Sequence, residues 1–128
     1  MIQKITNGIK ISVQSKFEGS YFDGEALKFA FKYKIEIKNN NHYSVQLISR
    51  TWNIFDALNF VKIVEGDGVI GARPIIKPFE SYSYSSGCLL QSPVGAMNGK
   101  YKMISIQNEQ EFDVEIPNFK LYSKFTQN

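Results

Sequence analysis

Glycines at 66, 68 and 71 give the spacing Gly66-x-Gly68-x-x-Gly71, and Arg73 follows two residues later. In a dinucleotide-binding unit this spacing closes a strand-to-helix turn and brings backbone N–H groups against a pyrophosphate. The neighbouring residues forbid the helix. Pro74 and Pro78 fall where its first turns would lie, and proline there removes a donor and clashes with the preceding turn. Ile75 and Ile76 favour extended backbone. The glycines therefore belong to a loop between strands, and no cofactor is expected. One route to anion chemistry survives without a helix. Successive N–H groups of a glycine-rich turn can converge on a phosphate as a nest, and Arg73 could add a charge-assisted contact. Glu65 and Asp67 would oppose an anion there. The hypothetical anion loop is thus Gly66, Gly68, Gly71 and Arg73, with phosphate, pyrophosphate or a nucleotide as its ligand. The alternative is a tight inter-strand turn in which the glycines satisfy geometry alone.

Arg50 and Trp52 are two apart, so on a strand they share a face. Facing inward, Trp52 would anchor the core and Arg50 would be a partly buried cation, with Asp56 or Glu80 as its expected partner. Facing outward, the pair would resemble an interface hot spot. Arg50, Trp52 and Asp56 are therefore structural or interface candidates. Tyr82-Ser-Tyr84-Ser-Ser-Gly87 lacks the Gly-x-Ser-x-Gly elbow of a hydrolase nucleophile. His42 is the only imidazole and lies in an Asn-rich turn, so a Ser-His-acid triad has one available base and no context. The single cysteine, Cys88, cannot form an internal disulfide, and Leu89 and Leu90 beside it suggest an inert buried thiol. One Cys and one His cannot build a structural zinc set. Glu109, Glu111, Asp113 and Glu115 alternate along a strand as a solubilising face that could attract Mg²⁺ or Co²⁺ only weakly. No catalytic constellation and no metal site is present, and an enzyme is not expected.

At 128 residues, residues 1–128 read as a single domain large enough for an independent core. Apolar residues at 43% and charged residues at 21% suit a soluble globular chain, and aromatics at 14% favour strands. Net charge is only +3. The basic excess of the first fifty residues (Lys10, Lys16, Lys28, Lys32, Lys34, Lys38 and Arg50) reads as a solvated strand face or as edge guards, so nucleic acid is not an expected partner. No signal-peptide pattern or membrane-length apolar run occurs. A reducing, cytoplasmic setting without membrane contact is the expectation.

The elements that must position these residues are strands. From 26 to 38 the sequence alternates: Leu27, Phe29, Phe31, Tyr33, Ile35 and Ile37 on one face, alanines, lysines and Glu36 on the other. Asn39, Asn40 and Asn41 supply turn chemistry, and residues 43–54 read as the partner strand. Its phase slips midway, from Tyr43, Val45 and Leu47 to Ile48, Trp52 and Ile54, which indicates a bulge or a change of sheet. Ile9-x-Ile11-x-Val13 is a short first strand and 17–25 its loop. Further strands are expected at 58–64, after a corner at Asp56-Ala57, and at 80–86, with Tyr82 and Tyr84 inward. A hairpin is expected from 101–106 and 112–116 across Asn108-Glu109. Pro117 ends that run, and Phe119-x-Leu121 is a final extended piece. Residues 93–99 read as a loop in which Val94 and Met97 are apolar rim residues. About seven short strands with turns between them indicate an all-β antiparallel sandwich.

One combination of motifs covers nearly the whole chain: Ser49-Arg50-x-Trp52, Asp56, Val64-x-Gly66-x-Gly68-Val69-x-Gly71-x-x-Pro74, Pro78, Tyr84-x-Ser86-Gly87, Pro93-x-Gly95-x-Met97-x-Gly99-x-Tyr101, Phe112 and Ile116-Pro117-x-Phe119. It resembles the ApaG family. The resemblance implies a fibronectin type III-like, immunoglobulin-like β-sandwich. It also implies an association with cobalt and magnesium tolerance and with diadenosine tetraphosphate metabolism, and, from related eukaryotic domains in an F-box protein and a polymerase-interacting protein, a role in protein contacts. Thr51, Phe55 and Phe79 depart from the family's usual His, Thr and Gly, and Thr51 weakens any mechanism that needs a histidine there. The function expected is a non-enzymatic interaction module. It would meet a protein partner through a sheet edge, or through a loop rim formed by 66–73 and 94–97, and could pair edge to edge as a homodimer.

Overall fold

The computed structural model describes residues 1–57 and 61–123. Every regular element among them is a strand: β1 (Ile2–Thr6), β2 (Ile9–Asp23), β3 (Ala26–Asn39), β4 (Val45–Asp56), β5 (Lys62–Asp67), β6 (Ile75–Ile76), β7 (Ser81–Leu90), β8 (Val94–Ser105) and β9 (Glu111–Tyr122). No helix among the described residues is long and apolar enough to cross a membrane. The strands form two antiparallel sheets. One runs β1-β2-β3-β7; the other runs β5-β4-β8-β9, with β6 also paired to β4. This is the antiparallel sandwich that the alternation of apolar residues demands, since each sheet has one face that must leave water.

The core is built from those faces. Ile9, Ile11 and Val13 of β2 meet Phe31, Tyr33, Ile35 and Ile37 of β3 on one side. Val45, Leu47 and Trp52 of β4, Met97, Tyr101 and Met103 of β8, and Val114, Ile116, Phe119 and Leu121 of β9 close it from the other. Trp52 lies 5.3 Å from Tyr33 and 5.9 Å from Phe119, ring to ring, so it is the core anchor expected of an inward residue. The phase slip in β4 is a bulge: the register with β8 shifts between Leu47 and Ser49. One extra residue returns Arg50 and Trp52 to the inward face.

Several expectations are corrected. Residues 17–25 are not a loop. β2 continues through a bulge between Phe17 and Gly19 and pairs with β3 as far as Asp23. The strand after the asparagines does not pair with β3; it crosses to the other sheet, and β3 pairs instead with β2 and β7. Pro117 does not end the last strand, because β9 passes through it where the register with β8 shifts. β1 was not legible, since only Ile2 and Ile5 mark it. The expected strand at 58–64 is observed as Lys62–Asp67, and positions 58–60 lie outside the described residues.

The rim expected at 94–97 is also strand. Val94 pairs with Tyr122 of β9, Gly95 pairs with both Asp56 of β4 and Leu121 of β9, and Met97 is buried in the core. Gly99 explains the fit: a Cβ there would lie 2.0 Å from the Thr51 carbonyl oxygen. The chain passes too close to β4 to form a projecting loop.

Candidate functional site

A sheet that is not closed into a barrel ends in strands with unpaired N–H and C=O groups, and each such edge needs protection from foreign strands. Three of the edges here are protected. β1 is five residues long and carries Lys4. β5 is six residues long and carries Lys62, Glu65 and Asp67. β9 carries Glu111, Asp113, Glu115, Pro117 and Lys120, and side chains of the other sheet reach its backbone. Asn7 Nδ2–H donates to the Asp113 carbonyl at 3.1 Å, Ser15 Oγ–H to the Lys120 carbonyl at 3.2 Å, and Glu115 N–H donates to Thr6 Oγ1 at 3.3 Å.

β7 is different. It terminates its sheet. Its ten residues, SYSYSSGCLL, contain no charge and no proline, and its register with β3 runs without a bulge from Ser81 to Leu90. Alternate residues Ser81, Ser83, Ser85, Gly87 and Leu89 are exposed.

The strand is held rigidly from its inner side. Tyr84 meets Tyr101 of the facing sheet with the two hydroxyl oxygens 2.5 Å apart. Tyr33 is hydrogen-bonded to Ser86. Burial pushes all three phenols above their ordinary value, Tyr84 and Tyr101 far above it, because a phenolate would lose its hydration there. At the far end Asp56 accepts from Gln91 N–H at 2.6 Å and from Ser92 Oγ–H, while Ala57 N–H donates to Ser92 Oγ at 3.1 Å. Asp56 thus locks the end of β4 to the β7–β8 turn. Cys88, also facing inward, has its thiol pushed up to about 11 by burial and then by Asp56, which keeps it protonated and unreactive at neutral pH.

The glycine segment is a strand end and a turn. Gly66 belongs to β5 and pairs with Arg50 across the ladder. A Cβ at 66 would lie 2.9 Å from the guanidinium, so glycine makes room for Arg50 to cover the strand. Arg50 Nη1–H donates to the carbonyls of Asp67 at 2.9 Å and Gly68 at 2.7 Å. The expected carboxylate partner is therefore corrected: Arg50 is held by main-chain oxygens, while Asp56 serves the corner and no ion pair joins Glu80 to Arg50. Gly68, at φ 56°, would place a Cβ 2.0 Å from the Ala72 oxygen. Val69 and Ala72 exchange N–H···O bonds of 2.8 and 3.0 Å around Ile70 and Gly71, both at positive φ. That is a two-residue hairpin turn of the primed type.

Part of the hypothetical nest is consequently in use. Gly68 N–H donates to the Ile48 carbonyl at 2.8 Å, and Val69 and Ala72 N–H close the turn. Arg73 pairs with Asp67 at 3.2 Å and is half exposed. Structure brings Arg50, Gly66, Gly68, Asp67 and Arg73 together and leaves Trp52 and Asp56 to the core and the corner. Sequence reasoning missed Tyr101 and Ser92. Tyr101 carried a signal, in phase with Met103; Ser92 carried none.

Two antiparallel sheets packed face to face over one core define a β-sandwich domain. A family model described as the ApaG domain matches residues 19–105. The chain is 48% identical to Protein ApaG of Vibrio cholerae over 113 residues, covering 88% of this chain and 89% of that protein. It is 41% identical to Protein ApaG of Methylobacterium radiotolerans, covering 96% and 94%. The chain belongs to the ApaG family. A crystal structure described as the putative ApaA protein of Bordetella pertussis superimposes with a TM-score of 0.80 at 32% identity, covering 91% of this chain and 94% of that one. A structural-genomics X-ray structure superimposes at 0.88 and 34% identity, covering 92% and 89%.

Proposed function

We propose that this chain is a non-enzymatic protein-interaction module that receives a partner's strand on the outer edge of β7. The supporting observation is the contrast between the four sheet edges: β7 alone is long, uncharged, free of proline and unbulged. Addition of a strand there would gain main-chain hydrogen bonds without rearrangement. The inner anchors at Tyr84, Ser86 and Asp56 keep the edge in place before the partner arrives, which lowers the ordering cost of association. The setting is the cytoplasm, and any link to cobalt or magnesium tolerance runs through the partner. Two of the acidic residues that could have drawn a cation, Asp113 and Glu115, are ion-paired to Lys100 and Lys4.

Proline substitutions test the edge. Ser83→Pro and Ser86→Pro have opposite parity along the strand, so one removes an outward N–H and the other a ladder bond to β3. The variant that keeps its β-sheet circular dichroism is the outward one. Its loss of a co-purifying partner, with retention by Arg73→Ala, is the expected result; equal capture by wild type and the folded proline variant defeats the proposal. A homodimer formed through β7 would disappear with the same variant in sedimentation.

A second reading is phosphate or pyrophosphate binding at 66–73, favoured by two guanidinium groups, Arg50 and Arg73, on one glycine turn. Titration with pyrophosphate would then move the amide resonances of Gly66, Gly68 and Gly71, and Arg73→Ala would abolish the shift. Unmoved resonances dispose of it.

A further inference from the structure

The strand register places the residues of β2, β3 and β7 that alternate with the core positions in four rows, all but the buried Ser12 at least partly exposed: Lys10–Lys38–Ser81, Ser12–Glu36–Ser83, Gln14–Lys34–Ser85 and Lys16–Lys32–Gly87. Five of these twelve positions are lysine and one is a carboxylate, Glu36. Lys10 faces Lys38 and Lys16 faces Lys32 directly across the ladder. Like charges directly opposite each other destabilise a sheet. None of the five forms an ion pair among the described residues; the pairs there are Lys4–Glu115, Arg73–Asp67 and Lys100–Asp113. At one end the rows open into a groove of about 850 Å³ whose polar lining includes Gln14, Lys16, Lys32, Lys34, Ser85 and Lys120, with no carboxylate among its described lining residues. Tyr122, 41% exposed, stands at its side with Lys120 Nζ 6.0 Å from the ring centre.

The geometry points to this face as a binding surface for the sugar–phosphate backbone of a single-stranded nucleic acid. From Lys10 to Lys16 the cations extend over about 20 Å, which suits a chain of phosphates better than a single one. Lysines act as point charges, and the β7 serines and Gln14 add neutral donors of the kind that contact phosphate oxygens. No arginine fork lies on these rows to read base edges, so recognition is of backbone, with Tyr122 beside the groove as a stacking surface. The end of this face at Lys16, Lys32 and Lys34 is concave, which a strand can enter and a bilayer cannot. A net charge of +3 over the whole chain conceals this concentration, because period-two alternation sends every lysine of β3 to one side. The inference is independent of the β7 edge.

Fluorescence anisotropy with a labelled 20-nucleotide oligothymidylate tests it on the full chain. About four neutralised phosphates give a slope of log K against log salt near −3. The double variant Lys32→Glu/Lys34→Glu weakens binding at least tenfold at 20 mM salt, by the loss of roughly two such contacts and the addition of two repulsive charges. A control of equal net charge, Lys77→Glu/Lys102→Glu, stays within about twofold. Lys32→Glu alone opposes Lys16 with a carboxylate, so it raises the thermal midpoint while lowering affinity, a combination that misfolding cannot produce. Equal losses in both double variants, absence of binding at 20 mM salt, or face-dependent binding to phosphatidylglycerol vesicles without binding to the oligonucleotide overturns the assignment.

Discussion

The Tyr84–Tyr101 pair makes a sharp prediction because both hydroxyls are withdrawn from water and each faces the other at 2.5 Å. Tyr101 is completely buried in the core. Tyr101→Phe removes one hydroxyl and leaves the other without that partner, a loss of about 1–3 kcal/mol for an orphaned buried group. Tyr84→Phe does the same in reverse. The double variant removes both polar groups while the ring packing stays, and such paired removal is nearly neutral, at about 0–1 kcal/mol. The two single losses should therefore exceed the double loss, with a coupling of about 2 kcal/mol in a double-mutant cycle. Urea unfolding followed by Trp52 emission is the assay. Trp52 is the only tryptophan and is packed between Tyr33 and Phe119, so its signal reports the core directly. Losses that simply add would mean that the two hydroxyls do not depend on one another, and the account of β7 as a strand anchored from inside would fail.

Three further outcomes follow from the same contacts. Asp56→Ala removes two charge-assisted bonds at the β4 corner and should cost about 2–4 kcal/mol, read as a lowered urea midpoint at unchanged m-value; a cost below about 0.5 kcal/mol, the level of an ordinary surface substitution, would show that the corner is held otherwise. Gly68→Ala, which drives a Cβ toward the Ala72 oxygen at φ 56°, should destabilise more than Gly24→Ala, where φ is 65° but the space is open; equal losses of about 1 kcal/mol, the left-handed backbone cost alone, would show that the turn relaxes freely. Stability should also fall in alkali. Tyr33, Tyr84 and Tyr101 keep their protons in the folded state above the ordinary value of 10.0, and Cys88 does so up to about 11 against 9.0. The unfolded chain releases these protons first, so the stabilisation is complete below about pH 9 and declines as pH rises through 9–11 and beyond. A pH-independent urea midpoint across that window would contradict the burial of the four groups.

The alternating runs around Ile9, Phe31, Tyr84 and Phe112 determined, from sequence alone, that the chain is an all-β sandwich and which side chains of those runs face its interior, whereas Met97 was placed in the core only by the structure. Apolar burial with period two admits little else. The bulge in β4 was legible as a slip of phase, and the prolines ruled out a helix after Gly71. The pairing of strands was not legible, because alternation fixes which face a residue takes but not which strand lies beside it. Only the tertiary structure assigned β7 to the end of its sheet and gave Arg50 two carbonyl partners instead of a carboxylate. It also placed Tyr101 against Tyr84, seventeen residues away, and aligned the lysines of β2 with those of β3. Contacts between residues distant in sequence depend on how the sheets stack, and no local pattern of residue types carries that information.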